Sequence, residues 1–320
     1  MSFFNCVFVF GTLCLTTGHL RPASSAGPNA AEQLRSRIEL SPVLPLRCDR
    51  FSATSPSASR HSGTISGVTV GKDGNIYEIQ RGDKSPPVLV LDPTGHLLRS
   101  WGTGQYTIPH SIRLDPEGNV WTVDAASSTV IKYSPSGRQL MKFEVGGQPN
   151  NGRSFNGATD IGFGPNGHVF ITDGYGNARV LEYTATGELV KEWGMLGSGP
   201  GEFDLPHSLQ IDKGIIYIAD RENGRIETFD LSGQYRGQIA HLGRVYSIKV
   251  VGNVIWASTG PFDRPPGSSG GWLLKIDKGS GSILGHLDIA AAGTGHALDL
   301  SLSGEPLLTS ENALLWCKAH

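Results

Sequence analysis

Three histidines recur at one position of a repeated segment. His110 and His207 each follow a proline and precede a serine, and His296 stands in Gly295-His296-Ala297-Leu298. Three neutral imidazoles that leave a fourth position open suit a catalytic Zn²⁺ better than a structural one, which four protein ligands would close. The alternative is that axial histidines line a polar channel and bond to one another or to water. Three further residues follow apolar runs: Arg81 in IYEIQ-RGD, Tyr175 in ITDG-Y-GNAR and Arg221 in IYIAD-R-ENGR. An isolated loop arginine is ordinarily solvated and a loop tyrosine ordinarily packs, but three such residues beside three histidines are candidates for chemistry.

These residues sit in a repeat whose copies begin near Ile65, Ile108, Gly157, Leu205, Val245 and Thr294. Each copy holds an alternating apolar strand, a D-P-x-G or x-G-N turn, a second apolar strand, and then an Asp or small polar residue. The fuller copies add a third strand and another Gly turn, as in VIKYSPSGRQLMKFE and VLEYTATGELVKEWG. Period-two alternation punctuated by Gly, Asp, Asn and Pro marks strands and turns. Four short strands at a period of about 40 to 50 residues mark a propeller blade. The chain is therefore read as all-β, a six-bladed β-propeller over residues 63–320. The 43 glycines among 320 residues fit its many tight turns. In a propeller the first strand of each blade lines the channel. The position of His110 is held by Ser66 in blade one, Thr159 in three, His207 in four, Tyr246 in five and His296 in six. Histidine thus falls on alternate blades. Arg81, Tyr175 and Arg221 follow second strands and are expected on the same face of the disc.

The formal net charge of −2 argues against a nucleic-acid surface, which needs a clustered basic face. Residues 1–26 read as a secretory signal, with an apolar stretch too short to span a bilayer, so a secreted or periplasmic location is expected. Residues 27–62 read as a Ser/Pro-rich leader with a short helix at AAEQLRSRIEL. Of the four cysteines, Cys6 and Cys14 would leave with the signal. Cys48 and Cys317 would remain, either as a disulfide that clasps the ring or as two free buried thiols.

The strings PHS, TDGY and ADRENGRI (Ala219–Ile226), with the three channel histidines, Arg81, Tyr175 and Arg221, resemble the peptidyl-α-hydroxyglycine α-amidating lyases, six-bladed propellers related to NHL-repeat proteins. The likeness runs from about Gly63 to the C-terminus. It implies that His110, His207 and His296 hold zinc. It also implies that Tyr175 is the general base on the substrate hydroxyl, and that Arg81 and Arg221 bind the substrate carboxylate. A calcium ion deeper in the channel is implied as well, held by the backbone carbonyls of Val68 and Ile112 and by one carboxylate. Ala297 stands at that carboxylate position, and Asp299 is the nearby substitute. The family's active-site methionine is Thr294 here, and its disulfide positions carry Gly176, Tyr217 and Thr228. The implied substrate is a small peptidyl-α-hydroxyglycine supplied by a separate hydroxylating monooxygenase, with the lyase a monomer without a membrane span. A non-catalytic NHL-type propeller binding peptide or protein is the alternative. A lactonase-like propeller is disfavoured, because its axis would carry carboxylate and Asn ligands instead of histidines.

Overall fold

Apolar first, second and third strands such as Val120–Asp124 are buried on both faces, which requires a covering layer on each side of every sheet. Packing sheets radially supplies both layers at once. The computed structural model describes residues 30–51, 63–83, 85–149, 152–260, 271–289, 295–311 and 313–320. It contains six four-stranded antiparallel sheets, each running from an axial first strand to an outer fourth strand. This is the expected six-bladed propeller. The first strands are Thr64–Val70, Pro109–Leu114, Asp160–Phe163, Pro206–Asp212, Arg244–Val251 and Leu298–Leu300.

The core lies in the seams between blades. Trp121, Val123 and Val130 of blade two pack with Ile161, Ile171 and Leu181 of blade three, and each such side chain contributes about 1.5–3 kcal/mol when fully buried. The turns show why the sequence carries D-P-x-G. Asp115 accepts the backbone N–H groups of Glu117 and Asn119 and the Trp121 indole N–H. Gly118 takes a φ of 85°, which a side chain would resist.

The ring closes with the segment expected as a leader. Its strand Leu46–Phe51 pairs antiparallel with Ala313–Ala319 and becomes the outer strand of blade six. Cys48 faces Cys317 across this pair and the two form a disulfide. The predicted short helix spans Ala30–Glu39 and buries Leu34 and Ile38 against Val245, Ile248 and Trp272 of blade five. The expected signal at residues 1–26, with Cys6 and Cys14, lies outside the described residues. Among the described residues no helix is long and apolar enough to cross a membrane.

One irregularity of the first strands positions the functional side chains. The register of first strand to second strand skips a residue between Ile65 and Gly67, Pro109 and Ser111, Pro206 and Ser208, and Val245 and Ser247. The skipped residues are Ser66, His110, His207 and Tyr246. A bulge frees one residue from the ladder and re-aims its side chain.

Candidate active site

The three histidines meet at the channel axis. One ligand nitrogen from each of His110, His207 and His296 lies within 4.8 Å of the others, and the ring centroids are 4.7–4.9 Å apart. Each imidazole is oriented by the neighbouring blade. His110 Nδ1 is 2.6 Å from the carbonyl oxygen of Thr159, His207 Nδ1 is 2.6 Å from that of Tyr246, and His296 Nδ1 is 2.8 Å from that of Ser66. A carbonyl only accepts, so Nδ1 carries the proton in all three rings. Every Nε2 lone pair is left for the axis, the tautomer a metal ligand needs. The carbonyl acceptors are the residues at the histidine position of the odd-numbered blades. In the same sense around the ring, the hydroxyls of Ser66 and Thr159 donate to the carbonyls of Pro109 and Pro206, one residue before a histidine.

The residues present fit a metal. His296 Nε2 is buried with no hydrogen-bond partner among the described residues, an uncompensated acceptor aimed at its two companions. Burial first, and then positive charge from Arg81, pulls the His296 pKa down to about 3. Burial also holds His110 and His207 well below the ordinary range, reinforced by the other histidines. All three are therefore neutral and available as ligands.

Tyr175 joins this cluster. Its phenol oxygen is 3.1 Å from His110 Nε2 and 3.2 Å from His207 Nε2. The loop that presents it depends on its two glycines. A Cβ on Gly174 would stand 2.3 Å from the Pro206 carbonyl oxygen, and one on Gly176 would stand 2.2 Å from that of Asn156. Burial pushes the phenol pKa upward. Arg221 and Arg81 act in the lowering direction but do not cancel that effect. The lowering expected from the two guanidiniums is thus present and outweighed by desolvation.

Arg81 ends the second strand of blade one and donates Nε–H to the Pro109 carbonyl at 3.0 Å. Its guanidinium lies 5.0 Å over the Phe155 ring. Its Nη2 is buried without a hydrogen-bond partner among the described residues, which suits an incoming anion. Arg221 is set by its own motif. Asp220 accepts from Asn223 and Arg225 and from the Asp204 backbone N–H, which fixes the loop. Arg221 lies over the Tyr175 and Tyr246 rings at 5.9 and 5.3 Å and pairs with Glu222, which also binds Arg244. All six residues singled out from the sequence as zinc ligands or catalytic groups are therefore on one face.

Sequence reasoning assigned no role to three neighbours. Phe155 packs 4.9 Å from the Tyr175 ring. Tyr246 stands beside His207 and His296, with centroids at 5.8 and 6.5 Å. Glu222 tethers two arginines. Glu222, adjacent to Arg221 in the ADRENGRI string, and Tyr246, at the histidine position of blade five, carried a visible signal, and Phe155 did not. Thr294 lies outside the described residues. Tyr217 and Thr228 face each other across adjacent strands, as paired positions should.

The residues expected around calcium are engaged with other partners. The Val68 carbonyl accepts from the Arg113 guanidinium at 3.5 Å, and Ala297 is a buried residue with no carboxylate. Asp299 is already paired with Lys249. The residues around Val68 and Ile112 do not fit a divalent cation.

Comparisons with known proteins agree with the fold and the resemblance. A family model described as 6-bladed beta-propeller matches residues 164–249. Peptidyl-glycine alpha-amidating monooxygenase B of Xenopus laevis is 30% identical over 262 residues, covering 70% of this chain and 30% of the relative. Peptidyl-alpha-hydroxyglycine alpha-amidating lyase 1 of Drosophila melanogaster is 34% identical over 194 residues, covering 54% of this chain and 36% of the relative. The chain thus spans about a third of the length of these relatives. A solved streptogramin B lyase superposes with a TM-score of 0.58 at 17% identity, over 86% of this chain and 98% of that one, a likeness of fold. The chain is related to proteins named as amidating lyases.

Proposed function

We propose that this chain is a zinc-dependent lyase that cleaves peptidyl-α-hydroxyglycine to a peptide amide and glyoxylate. The observation that carries the reading is the orientation of three imidazoles by cross-blade carbonyls, which directs their Nε2 atoms to one point beside the Tyr175 hydroxyl. Zinc held by His110, His207 and His296 would supply Lewis acidity and a charge that favours the phenolate of Tyr175.

The remaining chemistry falls to the chain's own groups. Arg81, with its unpaired Nη2, and Arg221 hold the carboxylate and orient the carbinol carbon. Tyr175 removes the hydroxyl proton. The electron pair of that O–H bond forms the aldehyde C=O as the C–N bond breaks, the C–N pair stays on the departing amide nitrogen, and that nitrogen takes up the proton Tyr175 removed. Phe155 and Tyr246 wall the site with aromatic surface, which lowers the local dielectric and strengthens each charge interaction. The hydroxylated glycine would come from a separate monooxygenase, and a secreted monomer remains the working picture.

The test is glyoxylate release from α-hydroxyhippurate by the purified zinc-loaded chain. Turnover that depends on added enzyme supports the reading. No glyoxylate from protein carrying one zinc per chain would refute it and favour a peptide-binding propeller.

A further inference from the structure

Directly beneath the histidines the channel is crossed by two ion pairs. Arg113 donates Nη2–H to Asp160 at 2.6 Å, and Lys249 Nζ lies 2.5 Å from Asp299. Asp160 and Asp299 are each 2% exposed and Arg113 is 8% exposed. These pairs join blade two to three and blade five to six. Asp299 also accepts the Thr69 hydroxyl and the Val70 N–H of blade one, and Asp160 accepts the Ser208 hydroxyl of blade four. These four blade seams do not need a bridging ion where side chains already span them.

We infer that Arg113, with Lys249, takes the place of a divalent cation in the channel, so that this propeller binds no calcium and needs none. Three observations converge. Arg113 already donates to the Val68 carbonyl, one of the oxygens a calcium ion would require. The two cations and two carboxylates sum to zero charge, so a buried divalent ion would add two uncompensated charges in a medium of low dielectric. Ala297, at the position expected to supply a carboxylate, offers no side-chain oxygen, whereas calcium asks for six to eight oxygen ligands at about 2.3–2.6 Å.

Arg113 is the positioning element in this arrangement. It holds the first strands of blades one to three at a fixed spacing, three residues beyond His110 on the same strand. A guanidinium suits the task because its five donors can reach a carboxylate, a carbonyl and a hydroxyl together.

The test is calcium binding to the zinc-loaded chain, read by titration calorimetry and by the unfolding midpoint with and without millimolar CaCl₂. The wild-type protein is expected to give no binding heat and an unchanged midpoint. Arg113→Met removes the charge and keeps much of the volume, leaving Asp160 unpaired. Its midpoint should fall by at least about 6 °C and should recover in part when CaCl₂ is added. One equivalent of calcium on the wild-type protein, with a raised midpoint, would overturn the inference. So would an Arg113→Met variant as stable as wild type. If that variant does not fold, the wild-type titration decides alone.

Discussion

His110 donates its Nδ1 proton to the backbone carbonyl of Thr159 at 2.6 Å, across the seam between blades two and three. The bond selects the tautomer that leaves Nε2 free and also ties two blades together. A candidate metal ligand and a contact that closes the ring are therefore one side chain. His110→Ala should cost about 1–3 kcal/mol in urea unfolding even without zinc, since a buried acceptor loses its donor. A zinc-free variant that unfolds with the zinc-free parent would show that the bond contributes nothing to the seam.

Tyr175→Phe removes only the hydroxyl that lies 3.1 and 3.2 Å from two imidazoles. The phenyl ring can keep its packing against Phe155. A general base contributes roughly 10²- to 10⁴-fold, so kcat should fall by that range with KM little changed and zinc retained. Steady-state kinetics of glyoxylate release provide the check. A variant with parental kcat would remove Tyr175 from the chemistry.

Arg81→Gln should act on binding more than on turnover. The buried Nη2 without a partner is the group available to a carboxylate, and a charge-assisted hydrogen bond is worth about 1.5–3 kcal/mol. KM should rise by about 10- to 100-fold. An amide or ester analogue of the substrate carboxylate should be nearly insensitive to the change. Equal losses for both substrates would place Arg81 in a structural role, through its bond to the Pro109 carbonyl.

Acid should loosen the zinc-free protein in a defined direction. Burial lowers the His296 pKa from 6.5 to about 3, so this ring binds a proton more weakly folded than unfolded. The stability it contributes is complete above the ordinary value of 6.5 and is lost as the pH falls toward 3. His110 and His207 shift the same way. The unfolding midpoint should hold steady from about pH 8 to about pH 7 and decline below about pH 6.5. His296→Gln should flatten that decline. A wild-type midpoint that does not change across the acidic range would contradict the assignment of three neutral rings.

The Cys48–Cys317 disulfide fastens the outer strand of blade six and hence the N-terminal segment. Because it closes a long loop, replacing both cysteines by serine should lower stability by about 2–4 kcal/mol. Zinc content and turnover should be unchanged, since the bond lies at the rim of the disc. Loss of zinc in that variant would mean that ring closure reaches the axis.

The position of each histidine was readable because Gly-containing turns anchor every repeat at a fixed offset from the first strand. The β-bulge that aims His110 and His207 was not, since it is a mismatch between two strands and has no signature in either one. Strand Leu46–Phe51 escaped notice for a related reason. It is an outer strand, and its sequence LRCDRF lacks a clean apolar alternation. Arg113 carried no signal in its own strand, because its partner Asp160 lies on the next blade and only the closed ring brings the two together. The raised pKa of Tyr175 depends on enclosure by blades distant in sequence. Charge type could be read from neighbouring arginines, but desolvation could not.

The account stands on three imidazoles sharing one ion, so metal stoichiometry tests it most directly. Elemental analysis of the purified chain should give one zinc per molecule, and His207→Ala should give almost none. A wild-type chain that stays metal-free after exposure to zinc, or a His207→Ala variant that retains a full equivalent, would contradict it.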